Sequence, residues 1–253
     1  MQILRASQRI TFTMGPFRIE RVRPGLIAGA STDPAFGPLA SFDHASLDVG
    51  TVIPMHKHVN DEILSYMWRG AMLHADRTGH KIPISATKLM MMNAGKSFWH
   101  EERTPDEPVE MLQIFVRPRD ADLSPEIAFF DRPEGTPRCE WSHVAGPEGS
   151  EAPLTFRNAV HVFDTRLDAG DEIEVLTMPG LSPFLYVLDG AIGTGGEALG
   201  KGDGVGAVDG ALPQLTANEA TSLVLFLVDR QASSSMAGTI SGRRDRQHRP
   251  SGS

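Results

Sequence analysis

The stretch His56-Lys57-His58-Val59-Asn60-Asp61-Glu62, joined later in the chain by His100-Glu101-Glu102, decides how this sequence folds and what it can bind. In an extended strand, side chains two positions apart point to the same face. The two histidines of the first stretch should therefore project together, and so should the first and last residues of the second. Imidazole nitrogens with one carboxylate suit iron, nickel, copper, zinc or manganese. The two stretches predict a metal site built from two strands.

The carboxylate ligand of this predicted site has two candidates. His56, His58 and His100 supply three imidazoles. Glu62 and Glu102 compete for the remaining position, and spacing alone does not separate them. Three of the nine histidines of the chain occur as H-x-H and H-x-E in apolar, strand-like surroundings. This grouping favours a catalytic metal with an open coordination position over ordinary core or surface histidines.

These residues resemble the two sequence motifs of cupins, in the variant found in pirins, which are bicupin proteins. The first motif is matched by Gly50, His56, His58, Glu62 and Gly70. The second is similar to residues 93–102, where a glycine-containing turn precedes His-x-Glu. The resemblance makes Glu62 a cavity residue that orients a histidine by a hydrogen bond. The metal ligands that it implies are His56, His58, His100 and Glu102.

The same resemblance implies a function. Some pirins cleave flavonols such as quercetin as 2,3-dioxygenases, which makes this chain a metal-dependent dioxygenase with an aromatic small molecule and dioxygen as its partners. The ligand set and the resemblance favour one Fe(II) ion, with nickel, copper, manganese and zinc as the other candidates. Glu102 or Glu62 would take the proton from a substrate hydroxyl. The alternative is a metal-containing regulatory protein, a transcription cofactor or an enzyme modulator, which would have a protein partner.

The sequence departs from the pirin pattern around the ligands. Pirins commonly carry Arg-Gly-Phe where this chain has Val59, Asn60 and Asp61, and their Pro-Gly-Asp turn is replaced near residues 86–88. Substrate preference depends on the surroundings of the metal more than on its ligands. The ligand set therefore transfers from the family better than the substrate does.

The composition indicates an all-β protein with an acidic surface. The 253 residues include 25 glycines and 18 prolines, which lie between short apolar runs and favour many strands joined by turns. A net charge of -8 disfavours direct nucleic-acid binding. The N-terminus lacks the pattern of a secretory signal, and no apolar run reaches membrane-spanning length. With its single cysteine, Cys139, the chain is predicted to be cytoplasmic, without a membrane partner.

An internal repeat predicts two barrels in tandem. Residues 184–191, FLYVLDGA, echo residues 64–71, LSYMWRGA, with the shared Tyr, Gly and Ala 120 positions apart. The same offset places Leu176 and Met178 where the first half has the H-x-H histidines. The fold class is therefore all-β, a bicupin of two double-stranded β-helix (jelly-roll) barrels, of which the second lacks the metal ligands.

The chain divides into four predicted segments. Residues 1–119 form the metal-binding barrel, 120–153 a connector, 154–231 the degenerate barrel and 232–253 a disordered tail. The tail lacks apolar periodicity, which is typical of a disordered segment. It is basic, but a solvated tail is favoured over a nucleic-acid or membrane contact because so few charges are present. Its basic residues are Arg243, Arg244, Arg246 and Arg249.

Overall fold

The structure, a computed structural model, describes residues 1–29 and 32–244 of the chain. Two short 3-10 helices occur in this part, at Ala6–Gln8 and Pro24–Ala28. All other regular elements of the described residues are strands, in agreement with the predicted all-β class. In chain order they are β1 (Gln2–Leu4), β2 (Ile10–Met14), β3 (Phe17–Val22), β4 (Leu39–Leu47), β5 (Val52–His58), β6 (Glu62–Arg69), β7 (Ala71–Asp76), β8 (Lys81–Ser85), β9 (Lys88–Asn93), β10 (Phe98–Arg103), β11 (Val109–Val116), β12 (Glu126–Asp131), β13 (Ser142–Pro147), β14 (Leu154–Phe156), β15 (Val160–Leu167), β16 (Glu172–Ile173), β17 (Ser182–Asp189), β18 (Ala191–Thr194), β19 (Glu197–Gly200), β20 (Gly204–Gly206), β21 (Leu215–Ala217) and β22 (Thr221–Val228). Within the described residues, no helix has the length and apolar character needed to cross a membrane.

The strands form one large curled sheet and a second unit of two facing sheets. The large sheet has the order β2-β3-β4-β11-β6-β9-β8-β7-β10-β5, with β12 added beside β9. The second unit combines the seven-stranded sheet β1-β20-β17-β22-β15-β13-β14 with the four-stranded sheet β16-β21-β18-β19. The first strand of the chain thus lies in the second unit, and β12 of the predicted connector lies in the first.

The two halves repeat each other at the residues that the sequence identified. Gly70 directly follows β6 and has a φ of 74°, and Gly190 directly follows β17 and has a φ of 83°. Both are left-handed conformations, which glycine adopts without steric cost. A Cβ at either position would also collide with a backbone carbonyl oxygen, that of Pro108 or Ala220. The shared turn therefore explains why the two glycines lie 120 positions apart.

The contact between the halves follows the same repeat. The Tyr66 hydroxyl donates to Asp164 Oδ2 at 2.6 Å, and the Tyr186 hydroxyl lies 2.8 Å from His44 Nδ1. Both tyrosines and both of their partners differ by 120 in number, so each half offers the same tyrosine to the same position of the other. The rings of Phe42 and Phe226 stack beside these bonds, 5.2 Å apart. The contact thus has an approximate two-fold symmetry.

Residues 232–244 follow the last strand and lie along the first sheet. The backbone N–H of Ser235 donates to Pro118 O at 2.8 Å, and that of Thr239 to Val59 O at 2.9 Å. The Arg117 guanidinium donates to Ser241 O, also at 2.8 Å. For these residues the expected disordered tail is corrected, because hydrogen bonds to distant residues hold a segment that has no apolar periodicity. The rest of that prediction, with Arg246 and Arg249, lies outside the described residues.

Glu62 is buried where the first sheet meets the second unit. Its Oε2 accepts the backbone N–H of Arg157 at 2.6 Å. Its Oε1 has no hydrogen-bond partner among the described residues. Burial raises the pKa of the Glu62 carboxyl to about 8, although the hydrogen bond and charge of Arg157 oppose the shift. The carboxyl is therefore protonated in the folded protein at neutral pH.

We expect Glu62→Gln to stabilise the metal-free protein in a pH-dependent way. The unfolded carboxyl loses its proton near its ordinary pKa of 4.5 and the folded one near 8, so the free energy of unfolding falls as pH rises between these values. Glutamine keeps the acceptor for Arg157 but does not ionise. Urea unfolding should show the variant more stable by about 1–3 kcal/mol at pH 8.5, and by much less at pH 5.

The exposed Glu107→Gln is the matched control and should show no such pH dependence. A difference between wild type and Glu62→Gln that is the same at both pH values would contradict a protonated Glu62.

Candidate metal centre

Two antiparallel strand pairs place the predicted ligands inside the first barrel, where His56, His58 and His100 form one group and Glu102 groups with His74 and His100. Strand β10 lies between β5 and β7, with His100 opposite His56 on one side and Glu102 opposite His74 on the other. The side chains of His58, His100 and Glu102 are buried, whereas His56 is half-buried. The alternation expected of strands thus places H-x-H and H-x-E on the same, inward face.

Three histidines form a compact group. The ligand atoms of His56, His58 and His100 all lie within 4.8 Å of one another. The Nε2 atoms of His56 and His58 are 3.1 Å apart, and the ring centres of His56 and His100 are 4.4 Å apart. This spacing suits three nitrogens that converge on one ion.

The hydrogen bonds of His56 and His58 leave their Nε2 atoms facing each other. His56 Nδ1 lies 2.9 Å from the carbonyl oxygen of Pro54, which can only accept a hydrogen bond. His58 Nδ1 lies 2.9 Å from Asp61 Oδ2, so it too is the donor. Burial first, and then the neighbouring His58, lower the pKa of His56, which keeps its imidazole neutral. With both Nδ1 atoms engaged, the two Nε2 atoms face each other across 3.1 Å, where a bound cation can accept an electron pair from each imidazole.

His100 and Glu102 also have buried polar atoms without hydrogen-bond partners among the described residues. Both ring nitrogens of His100 and the Oε1 of Glu102 are buried without a hydrogen-bond partner among the described residues. Burial lowers the pKa of His100 well below its usual value and raises that of Glu102 to about 7. Buried polar groups without partners are costly, and a divalent ion would satisfy these. The donors present therefore fit a transition-metal ion.

Asp61 is the residue that orients His58. Although burial raises the pKa of the Asp61 carboxyl, hydrogen bonds from His58, Thr239 and Ser241 lower it below its ordinary value. The ionised carboxylate fixes the tautomer of His58 and strengthens it as a ligand. The turn before Asp61 is made by Asn60, whose φ of 52° is a left-handed value that asparagine tolerates.

The predicted place of Glu62 in the metal cavity is therefore corrected. Successive residues of an extended chain point to opposite faces, so Glu62 turns away when Asp61 faces His58. Its Oε2 accepts the backbone N–H of Arg157 at the contact between the halves. Asp61, one position earlier, takes the role that the family resemblance implied for Glu62.

His74 is a buried residue of the site that the sequence analysis missed. Its ligand atom lies within 4.8 Å of those of His100 and Glu102, so the two groups of candidate ligands share His100. Its Nε2 lies 3.1 Å from Asp76 Oδ2. Burial raises the pKa of Asp76, but hydrogen bonds from Thr78 and His74 lower it to about 2, so that carboxylate only accepts. The Nδ1 of His74 is buried without a hydrogen-bond partner among the described residues. The alternation of His74 and Asp76 along β7 is the signal that could have identified it.

Comparisons with known proteins agree with this architecture. The pirin family model matches residues 19–116, and the model of the quercetinase C-terminal cupin domain matches residues 143–228. A pirin-like protein of Caulobacter vibrioides is 27% identical over 192 residues, which cover 75% of this chain and 83% of that protein. A quercetin 2,3-dioxygenase of Escherichia coli is 22% identical over 76% of this chain and 82% of its own length.

The solved structures show the same fold. The bacterial pirin YhhW of Escherichia coli, in complex with nickel(II), has a TM-score of 0.77 and 19% identity, with 89% of this chain and 97% of that chain covered. A quercetin 2,3-dioxygenase of Acinetobacter baumannii has a TM-score of 0.75 and 17% identity, with 91% and 86% covered. The predicted bicupin fold is confirmed, and the chain belongs to the pirin family of cupin proteins.

Proposed function

We propose that this protein is a metal-dependent dioxygenase that acts on a flavonol-like substrate of the quercetin type. One observation carries the proposal: the Nε2 atoms of His56 and His58 face each other 3.1 Å apart, and both ring nitrogens of His100 and the Oε1 of Glu102 are buried without a hydrogen-bond partner among the described residues. The ion would be held by His56, His58, His100 and Glu102. Fe(II) is our first choice, because three imidazoles and a carboxylate suit it and leave an open position.

Relatives support the choice of substrate class. Proteins named quercetin 2,3-dioxygenase occur among the similar sequences and the similar folds. The nickel(II) complex of YhhW supports a divalent metal in this fold without fixing its identity here.

The chain's own residues would bind and prepare the substrate. His56 is the most exposed of the four proposed ligands, so the substrate would enter from its side. A bound metal would act as a Lewis acid on the flavonol hydroxyl beside its carbonyl. Glu102, buried from water, would accept the proton of that hydroxyl if substrate binding brings the two within hydrogen-bond distance. The expected reaction consumes one dioxygen per flavonol, with ring opening and release of carbon monoxide.

Removing a proposed ligand should remove the metal. We expect His58→Ala and His100→Ala to lose most of the metal that wild type carries, because each substitution removes one of the four proposed ligands. The control variant His161→Ala should keep its metal, because it changes a buried histidine of β15 that is hydrogen-bonded to His143 in the second unit. Elemental analysis of proteins with matching circular dichroism measures this. Full metal content in either ligand variant would contradict the assignment.

Oxygen uptake with quercetin tests the reaction. Iron-reconstituted wild type should consume dioxygen only when quercetin is present, and Glu102→Gln should lower kcat per bound iron by about 100-fold or more, because the proton acceptor is lost. Glu101→Gln is the matched control, since Glu101 points to the opposite face of β10 and contacts Arg103.

The same measurement separates the alternatives. One equivalent of metal without uptake would overturn the flavonol dioxygenase and favour a metal-containing regulatory protein. Absence of metal, both as purified and after reconstitution, would overturn the proposed site itself.

A further inference from the structure

The C-terminal segment meets the metal centre at one buried carboxylate. Residues 238–241, which we call the clasp, surround Asp61, whose side chain has no exposed surface. Asp61 accepts the Thr239 hydroxyl, the Ile240 N–H at 3.1 Å, the Ser241 N–H at 2.9 Å and the Ser241 hydroxyl at 2.8 Å. Four donors from three consecutive residues thus converge on a carboxylate about 180 positions earlier in the chain.

The same carboxylate holds His58. Asp61 Oδ2 accepts both the Thr239 hydroxyl and His58 Nδ1, while Oδ1 accepts both donors of Ser241. We infer that Thr239 and Ser241 are positioning residues of the metal centre, which hold Asp61 so that His58 keeps its Nε2 aimed at the ion. The inference rests on the proposed metal site.

Packing fixes the clasp in place. Ile240 lies against the apolar cluster inside the first barrel, which includes Ile63, Phe98 and Phe115. A Cβ on Gly238 would lie 2.6 Å from Asp61 Oδ1, so only glycine permits this approach. The Thr239 hydroxyl also accepts the backbone N–H of Val59 at 3.1 Å, which ties the clasp to the end of the H-x-H strand.

Loss of the clasp would change the orientation of His58 and leave the barrel folded. Without its four donors, Asp61 would keep a buried charge with His58 as the remaining side-chain partner among the described residues, and water or a rotated carboxylate would replace the missing bonds. His58 would then lose the fixed orientation and the basicity that an outer carboxylate gives a ligand. The clasp lies beyond the two family matches, which end at residues 116 and 228. This contribution to the site is therefore additional to the matched domains.

Metal affinity of matched variants tests the inference. Cobalt(II) is titrated into the metal-free full chain, with a chelator as competitor, and its visible absorption spectrum reports the coordination. We expect Thr239→Val with Ser241→Ala to weaken cobalt binding by about 10–100-fold and to alter the spectrum. Thr239→Ser, which keeps the hydroxyl, should bind like wild type. Truncation after Met236 should act like the double variant, and truncation after Arg244, which keeps the clasp, should act like wild type.

The outcomes are distinct. Wild-type affinity and spectrum in a folded double variant would overturn the inference while leaving the metal site intact. An equal loss on truncation after Arg244 would overturn it as well, because the effect would then belong to residues 245–253. If the truncation after Met236 does not fold, the double variant decides. Absence of cobalt binding by wild type would refute the metal site on which the inference depends.

Discussion

The interior of the first barrel holds a group of nitrogen and oxygen atoms that can donate electron pairs but have few hydrogen-bond donors beside them. His56 and His58 direct their Nδ1 atoms to Pro54 and Asp61, and the ring nitrogens of His100 and the Oε1 of Glu102 have no hydrogen-bond partner among the described residues. In an apolar barrel, such a set is costly unless a cation compensates it. The edge position of β5, the turn at Asn60 and the burial of Asp61 can all be understood as ways to create and orient this set. The local structure around β5, Asn60 and Asp61 therefore follows from the need to orient these side chains.

Much of the site could be predicted because strands alternate. The spacing of H-x-H and H-x-E requires only that both stretches be extended, and the register of β5 and β10 brings them together. The choice between Glu62 and Asp61 as the partner of a histidine depends on which residue begins the next strand, and a shift by one position reverses the face. His74 lacked any motif, although its alternation with Asp76 was visible in the sequence.

The end of the chain shows what composition cannot predict. Residues 232–244 have the polar, glycine-rich character of a disordered tail, and no local pattern indicates otherwise. Their order comes from single contacts with distant residues, such as Ser241 with Asp61 and Ser235 with Pro118. Contacts across such a separation leave no periodic trace in the sequence.

The repeated tyrosine contacts bear on how this chain could assemble. Tyr66 with Asp164 and Tyr186 with His44 are the two equivalent halves of an isologous contact, of the kind that joins two identical subunits. The chain is thus organised like a covalently linked homodimer, with the proposed metal ligands in its first half. Because each half already covers the matching face of the other, that face is closed to further copies. Any larger assembly has to form through a different surface.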